Sequence, residues 1–306
     1  MIRSYDLKVG YTCDHDCLHC VIKDSKRDVI NAKKSVDLTT DECLSLIDQA
    51  SGRGVDSITL TGGEPTLRGD FPVLVERCLS YGLRITLQTN GGHLSSPHVV
   101  KAIQGTDAIT YVIAVHGASA GIHDAITRTP GSFEKTMEGI RRVRDLGKPV
   151  ILKTVISRVN MESLGAMIDM ISEEGLKDVN MAFPHAQGAA RENFDEVVPR
   201  YGELRPHLLQ AARKAKALNV NLSFETVPFC ILPEFPEMAS ELIYKFKEVE
   251  CNQVHEDRFD WNRVRVSIKR KFDKCSSCVF SKYCEGPWCE YVERFGAEDF
   301  LPVHVK

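Results

Sequence analysis

The sequence has no long apolar stretch and little excess charge of one sign. None of its 306 residues falls in an apolar run of about 18 or more, so no membrane-spanning helix is expected. The first ten residues, MIRSYDLKVG, lack the apolar core of a secretory signal. With 39 basic and 42 acidic residues the formal charge is -3, which favours neither a nucleic acid nor a membrane surface as a partner. We therefore expect a soluble protein of the cytoplasm.

Cysteine, in contrast, is abundant. The chain has 11 cysteines, and because disulfides are rare in the cytosol, clustered cysteines there predict metal binding or redox catalysis. One group near the start of the chain consists of Cys13, Cys17 and Cys20. A second group near the end consists of Cys275, Cys278, Cys284 and Cys289. The remaining cysteines are Cys43, Cys78, Cys230 and Cys251.

Short apolar runs alternate with helical patterns through the first two thirds of the chain. The runs predict seven strands, at about Asp6–Tyr11, Ser57–Thr61, Arg84–Thr89, Ile109–Val115, Val150–Ile156, Val179–Phe183 and Val220–Thr226. Helices are predicted at Thr39–Ala50, Phe71–Ser80, Ser132–Leu146, Asn160–Glu174 and, as one or two helices broken near Pro206, Glu196–Leu218. This α/β alternation predicts parallel βαβ units covered by helices. It favours an incomplete barrel, although a doubly wound sheet would give the same periodicity.

The pattern changes after about residue 227. Short, charged segments that contain proline lead from there to the second cysteine group. We therefore predict two parts: a partial barrel over residues 1–226 and a small cluster-binding domain over residues 227–306.

The first cysteine group has the spacing C-x3-C-x2-C. Three thiolates this close together, on a loop after a strand, can bind three irons of a 4Fe–4S cluster and leave the fourth iron open to a small molecule. A structural zinc site would need four ligands instead, and His15 or His19 could complete one here.

A second motif, Thr61-Gly62-Gly63-Glu64-Pro65, follows the second predicted strand. Its two glycines allow close approach of the backbone to a ligand, and the Glu64 carboxylate can accept hydrogen bonds from an ammonium group. Barrels bind their ligands at the carboxyl ends of the strands, where this motif lies.

Together the two motifs resemble those of the radical S-adenosylmethionine (SAM) superfamily, in particular its MoaA/PqqE-like branch with a C-terminal auxiliary-cluster domain of the SPASM or twitch type. The resemblance implies a partial (β/α)6 TIM-like barrel and a SAM-binding 4Fe–4S cluster on Cys13, Cys17 and Cys20. It also implies a flavodoxin- or ferredoxin-type electron donor. Reductive cleavage of SAM would yield a 5′-deoxyadenosyl radical that abstracts a hydrogen atom from the substrate.

The same resemblance implies the residues that bind SAM, which are Gly62, Gly63, Glu64, Asn90, His116, Arg128 and Phe183. Glu64 and the two glycines match the segment that binds the methionine amino group. Near His116 the chain departs from the family pattern, because Ala114 replaces a common serine. Arg128 would pair with the SAM carboxylate, or else be a solvated surface residue. Phe183 would form a wall beside the adenine, or else belong to the core.

The second cysteine group contains C-x2-C-x5-C, formed by Cys275, Cys278 and Cys284. This spacing resembles the core of SPASM and twitch domains and implies one auxiliary 4Fe–4S cluster, with a zinc knuckle as the alternative. Cys230, Cys251 and Cys289 are the candidates for the fourth ligand. We favour Cys230, because it lies where the barrel gives way to the C-terminal domain.

The resemblance implies a radical enzyme that modifies a peptide, by crosslinking, oxidation or epimerisation. Because Cys13 comes so early, we expect no peptide-recognition domain before it, so a peptide would need a separate carrier or direct docking. An alternative is an epimerase or dehydrogenase of a sugar or other small natural-product intermediate, with Cys251 as the hydrogen-atom donor. The remaining alternatives are a zinc-binding scaffold and an electron-transfer module, and the Gly-Gly-Glu motif argues against both.

Overall fold

A computed structural model describes residues 2–244 and 246–304. Within these residues one sheet of nine strands forms the centre of the molecule. The strands are β1 Ile2–Lys8, β2 Ser57–Thr61, β3 Arg84–Thr89, β4 Ile109–Ala114, β5 Val150–Val155, β6 Asp178–Ala182, β7 Asn221–Glu225, β8 Lys247–Cys251 and β9 Phe259–Asp260.

Helices follow most of the strands. The α-helices are α1 Lys23–Asn31, α2 Thr40–Gly52, α3 Phe71–Ser80, α4 Pro97–Ile103, α5 Ala120–Thr127, α6 Ser132–Asp145, α7 Leu164–Glu173, α8 Ala189–Glu192, α9 Phe194–Val197, α10 Tyr201–Ala217, α11 Glu241–Tyr244, α12 Trp261–Ser267 and α13 Cys289–Phe295. Short 3-10 helices cover Pro65–Leu67, Met161–Ser163, Pro236–Met238 and Asp273–Ser277. Local chemistry fixes some ends: α2 starts at a capping box in which Thr39 and Glu42 satisfy each other's backbone N–H groups.

The strands lie in the order β7-β6-β5-β4-β3-β2-β1-β8-β9. Every neighbouring pair from β7 to β8 is parallel, and β9 pairs with β8 in the antiparallel sense. The first seven strands therefore follow one another without the reversal of order that defines a doubly wound sheet. This consecutive order is that of a barrel, as the sequence predicted.

The main core lies between the outer face of the sheet and the helices. Alternate strand residues point to that side, so Leu7, Leu60 and Leu87 are all completely buried. The helices cover them with apolar faces, such as Cys43 and Ile47 of α2, which are also completely buried. Two of the scattered cysteines, Cys43 and Cys78, are thus core residues, in agreement with their predicted helical positions.

All seven predicted strands are present, six of them within one residue of the predicted ends. The first strand, predicted at Asp6–Tyr11, lies earlier, at Ile2–Lys8. The short parallel strand β8 was not predicted, because its sequence, KEVEC, lacks an apolar run. It belongs to the region predicted as the C-terminal domain, yet it pairs with β1 of the barrel.

The predicted break near Pro206 was wrong. Helix α10 continues through this residue from Tyr201 to Ala217. Because Pro206 is only the sixth residue of the helix, its missing N–H costs a single hydrogen bond near the start. No helix in the described part of the chain is long and apolar enough to cross a membrane.

Candidate active site

The first cysteine group lies on the loop between β1 and α1, where neighbouring backbone groups hold it. The N–H groups of Asp16 and Leu18 donate to the carbonyls of Thr127 (3.1 Å) and Ile126 (2.9 Å) at the end of α5. The Cys20 carbonyl accepts from the N–H of Ala189 at the start of α8 (2.9 Å). These contacts fix the loop that carries Cys13, Cys17 and Cys20 before any cofactor binds.

Side-chain hydrogen bonds also hold the cysteine loop in place. Asp14 accepts a hydrogen bond from Asn90 Nδ2 at 2.8 Å and lies 3.0 Å from His93 Nε2. Asp37 accepts from the backbone N–H groups of Tyr11 (2.9 Å) and Thr12 (3.0 Å). Asn90, one of the predicted site residues, therefore joins the end of β3 to the cysteine loop.

The donor chemistry of this loop fits an iron–sulfur cluster. Burial raises the pKa of the Cys13 thiol to about 11, and burial likewise raises the pKa of Cys17 and Cys20. Bound iron would supply the positive charge that keeps the thiols deprotonated. Among residues 2–244 and 246–304, no group of three or more His, Cys, Asp or Glu side chains is placed to hold a single metal ion.

The Gly-Gly-Glu loop packs directly against the cysteine loop. A Cβ atom on Gly63 would lie 2.1 Å from the Thr12 carbonyl oxygen, and one on Gly62 would lie 2.3 Å from that of Gly10. Gly62 also has a φ of +120°, which side chains rarely adopt. Both glycines are therefore needed for the two loops to touch.

The Glu64 carboxylate connects the Gly-Gly-Glu loop to the end of β3 from inside the protein. The residue is 3% exposed. One carboxylate oxygen accepts from the N–H of Thr66 (3.0 Å), from the Thr66 hydroxyl (2.5 Å) and from the Thr89 hydroxyl (2.8 Å), and the other accepts from the N–H of Asn90 (2.6 Å). Burial raises the pKa of Glu64, although these hydrogen bonds oppose the rise. The side chain thus acts as a brace, and its predicted contact with SAM stays a prediction.

Three histidine rings form a row that begins at His19 of the cysteine loop. The His19 and His116 rings lie 4.5 Å apart edge to face, and His116 lies 5.8 Å from His123. The His116 N–H donates to His123 Nδ1 at 3.1 Å. Burial lowers the pKa of His19 and of His123 to about 4, so these rings are neutral. From the sequence, His19 is expected only as a possible zinc ligand, and no role is expected for His123. The C-L-H-C spacing is the available signal for His19.

Arg128 and Phe183 have different surroundings. Arg128 caps α5 in the left-handed conformation, lies 3.8 Å from Asp16 of the cysteine loop and donates to Asn193 Oδ1 at 3.1 Å. It is therefore placed at the rim of the predicted SAM site. Phe183 is buried and stacks 4.1 Å from Tyr201, which favours the core alternative for this residue over an adenine wall.

Three cysteines of the second group line a cavity together with Cys230. Its cysteine lining consists of Cys230, Cys275, Cys278 and Cys284. Apolar rings and prolines complete the wall, including Phe229, Phe272 and Pro287. Burial, followed by the neighbouring thiols, raises the pKa of Cys230 to about 12. Four thiols around one apolar space fit the ligand set of a 4Fe–4S cluster.

The two other candidates for the fourth ligand lie outside the lining of this cavity. Cys289 begins α13. Cys251 ends β8, where it pairs in register with Asp6 of β1. It is 4% exposed, and burial, together with the Asp6 carboxylate, raises the pKa of its thiol to about 12. Cys251 is therefore a neutral thiol within the barrel.

Comparison with known proteins identifies the family. The model of the radical SAM superfamily matches residues 7–171, more than half of the chain. The chain belongs to the radical SAM superfamily. This assignment confirms the prediction of a radical SAM enzyme, and the matched segment includes the C-x3-C-x2-C and Gly-Gly-Glu motifs.

Curated relatives carry several activities in their names. The AdoMet-dependent heme synthase of Methanosarcina barkeri is 30% identical over 196 residues, which cover 64% of this chain and 54% of that protein. The mycofactocin maturase MftC of Mycobacterium tuberculosis is 31% identical over 169 residues, 55% of this chain and 41% of that protein. The chain thus spans about half the length of these relatives.

Solved structures share the fold over nearly the whole chain. Streptococcus suis SuiB bound to S-adenosylmethionine has a TM-score of 0.67 at 18% identity, and the alignment covers 98% of this chain and 76% of the SuiB chain. The structure of anSMEcpe with bound AdoMet and the Cp18Cys peptide has a TM-score of 0.56 at 15% identity, and the alignment covers 99% of this chain and 92% of the anSMEcpe chain. At these identities the likeness confirms the TIM-barrel-like fold of this radical SAM protein.

Proposed function

We propose that this protein cleaves SAM reductively at a 4Fe–4S cluster held by Cys13, Cys17 and Cys20, and abstracts a substrate hydrogen with the resulting radical. The observation that carries the proposal is the loop of three thiols that Gly62, Gly63 and the Glu64 brace hold at the carboxyl ends of β1, β2 and β3. Three protein ligands leave one iron open to SAM. When bound, the cluster supplies the electron that splits SAM; the protein supplies position and exclusion of water.

Each of the remaining site residues has a separate role in this proposal. The Asn90 side chain fixes Asp14 of the cysteine loop. His116 and His19 form a neutral wall behind the loop. Arg128, at the rim, would offer its guanidinium to the SAM carboxylate. None of these groups has to exchange a proton for SAM to bind.

The second part of the proposal is one auxiliary 4Fe–4S cluster on Cys230, Cys275, Cys278 and Cys284. Its support is the cavity that all four thiols line. The apolar wall would keep water from the cluster and so influence its reduction potential. A flavodoxin- or ferredoxin-type protein of the cytoplasm would supply electrons.

We assign a peptide as the substrate, to be crosslinked, oxidised or epimerised. The support is the naming of relatives: MftC is called a maturase, and SuiB has been solved bound to its precursor peptide SuiA. That likeness extends from the barrel to the C-terminal region of this chain, because the SuiB–SuiA structure covers 99% of it.

The test is anaerobic reconstitution with iron and sulfide, followed by dithionite and SAM. About eight irons per chain, for two 4Fe–4S clusters, together with released 5′-deoxyadenosine would support the proposal. Bound zinc with little iron and intact SAM would instead support the zinc-scaffold alternative.

A second candidate, hydrogen return to a sugar or other small-molecule radical, is favoured by Cys251. Its neutral, buried thiol ends β8 inside the barrel. The thiol would give a hydrogen atom to the substrate radical, and the thiyl radical left behind would take one electron from the external donor and one proton. In that case Cys251→Ala still consumes SAM but does not form the normal product. Normal product from this variant would eliminate the candidate.

A further inference from the structure

The inner face of the barrel sheet is polar, although its outer face is a conventional core. Outer residues such as Leu7 and Leu60 are completely buried against the helices. Many of the residues that alternate with them carry hydroxyl, amide or charged groups, namely Asp6, Lys8, Thr59, Thr61, Gln88, Lys153, Asn180, Ser223 and Glu225. The same face also has apolar residues, namely Val112, Ala114, Ile151, Val155 and Ala182, so it is polar chiefly on β1, β2, β3 and β7. A parallel sheet that is packed on both faces would read as a nearly continuous apolar run instead.

Most of these inner side chains are accessible as well as polar. Asp6, Lys8, Asn180 and Ser223 are half-buried, whereas the corresponding positions of an ordinary closed barrel are filled by branched apolar residues. The inner space therefore holds water or a ligand.

Two ionic groups form a pair on this face. On β5 and β7, Lys153 Nζ and Glu225 Oε2 are 2.9 Å apart, with side-chain exposures of 34% and 22%. Burial raises the pKa of Asp6 on β1, and the Lys153 ammonium is one of the groups that oppose this rise. Three strands separate β1 from β5 in the sheet, so this interaction crosses the inside of the barrel.

Neighbouring groups extend the polar lining. Lys8 Nζ donates to the Asn252 carbonyl at 3.3 Å. Asn180 Nδ2 donates to the hydroxyls of Ser223 and Ser240, both at 3.0 Å. The Asn180 Oδ1 atom is buried without a hydrogen-bond partner among the described residues.

We propose that the inside of the barrel binds a substrate group with several hydroxyl or amino substituents, and that Lys153 and Glu225 are its specificity-determining pair. Glu225 and Asp6 suit an ammonium group or a hydroxyl donor, and Lys153 suits a hydroxyl or carboxylate acceptor. An apolar group in this space would remove water from these side chains without replacing its hydrogen bonds, which is unfavourable for each group left unpaired.

This proposal rests on the proposed function, since it names what the radical site accepts. The same chemistry can come from a free small molecule or from a polar side chain of a peptide. Both sources place hydrogen-bond donors and acceptors against the same inner face, and they differ in whether a peptide backbone is required.

The test measures the binding of four probes to the reconstituted protein with SAM by saturation-transfer NMR. The polar probes are glucosamine and N-acetyl-seryl-lysine amide, and the apolar probes are toluene and N-acetyl-leucyl-valine amide. We expect a polar probe to bind, and Lys153→Met and Glu225→Gln each to weaken that binding at least tenfold. Glucosamine alone would indicate a small molecule, and the seryl-lysine peptide alone a peptide side chain.

Matched variants separate recognition from stability. Lys153→Arg and Glu225→Asp keep both charges and should restore most of the binding. Glu174→Gln breaks a comparable ion pair outside the barrel, with Arg141 at 2.6 Å, and should leave binding unchanged. Tighter binding of the apolar probes, or polar binding that is absent or insensitive to Lys153→Met and Glu225→Gln, overturns the inference. Release of 5′-deoxyadenosine without substrate, assayed on the same samples, reports separately on the proposed function.

Discussion

The two cysteine sites differ in how the chain builds them. Cys13, Cys17 and Cys20 come from one short loop, and polar clamps such as the bond between Asn90 and Asp14 hold it. The second site needs a residue from far away, because Cys230 joins the group that contains Cys284 around an apolar cavity. Three ligands on a loop leave a coordination position open for a small molecule, whereas four ligands close the cluster. Under the proposed function, the first site would carry the SAM chemistry, and the second would have an electron-transfer or structural role.

The largest effect is expected from replacing Cys13, Cys17 and Cys20 together with alanine. Because no other thiols lie on that loop, formation of 5′-deoxyadenosine should be abolished, while about four irons remain at the second site. The assay is chromatography of the products beside an iron determination. Cys43→Ala, which changes a buried core cysteine, is the control. Continued SAM cleavage in the triple variant would refute the assignment of the first site.

A smaller change is expected when the second site loses one ligand. Cys230→Ala should make the auxiliary cluster labile, or open one of its irons, because its fourth thiol is gone. Iron content should fall by up to about four per chain, or the electron paramagnetic resonance (EPR) signal of this cluster should change. Cys289→Ala should leave both the iron content and the EPR signal unchanged, since Cys289 lies outside the cavity lining. The opposite pattern would make Cys289 the ligand.

The Glu64 brace should matter for stability as well as for SAM binding. Glu64→Gln keeps the shape but removes the charge that four hydrogen-bond donors share. We expect a loss of about 1–3 kcal/mol in the free energy of unfolding of the protein without clusters, and weaker SAM binding after reconstitution. Urea unfolding and calorimetry measure the two effects. Glu248→Gln, on an exposed side chain, should change neither, and equal behaviour of the two variants would argue against the brace.

The smallest expected effect is a pH dependence caused by His123. Burial and then the neighbouring His15 lower its pKa to about 4 in the folded protein, whereas an unfolded histidine has a pKa of about 6.5. The unfolded state therefore binds more protons between about pH 6.5 and pH 4, and folding stability falls as the pH is lowered through this window.

Urea unfolding across that range checks this prediction. His123→Gln retains an acceptor for the His116 N–H and should make the fall in stability shallower. His304→Gln, at an exposed residue, should leave the slope unchanged. A slope that is the same in all three proteins would show that His123 does not contribute.

Much of the architecture could be predicted, because the period-two alternation of strands such as Ser57–Thr61 is a local signal. The two cysteine motifs could likewise be recognised, because their spacing is local. Contacts made across the fold could not be predicted in this way. Two of the hydrogen-bond partners of Glu64, Thr89 and Asn90, lie at the end of another strand. The segment β8 forms a strand by pairing with the edge of β1. Cys230 was favoured from its position at the end of the barrel, and the structure adds that it lines the cavity with the other three thiols.

The polar inner face illustrates the same limit. The residues Lys153 and Glu225 are visible in the sequence, but nothing local indicates that they form an ion pair within the barrel. Alternation along each strand predicts two different faces, and only the assembled sheet shows that the polar face encloses a space.

The most direct test of the difference between the two sites is the EPR spectrum of the dithionite-reduced protein, recorded with and without SAM. We predict two overlapping 4Fe–4S signals, of which SAM changes one. The EPR signal that SAM changes should be missing in the Cys13/Cys17/Cys20→Ala variant. The second EPR signal should persist in that variant and should not change when SAM is added. A SAM response from the cluster that survives in this variant would contradict the assignment of the open site to the first loop.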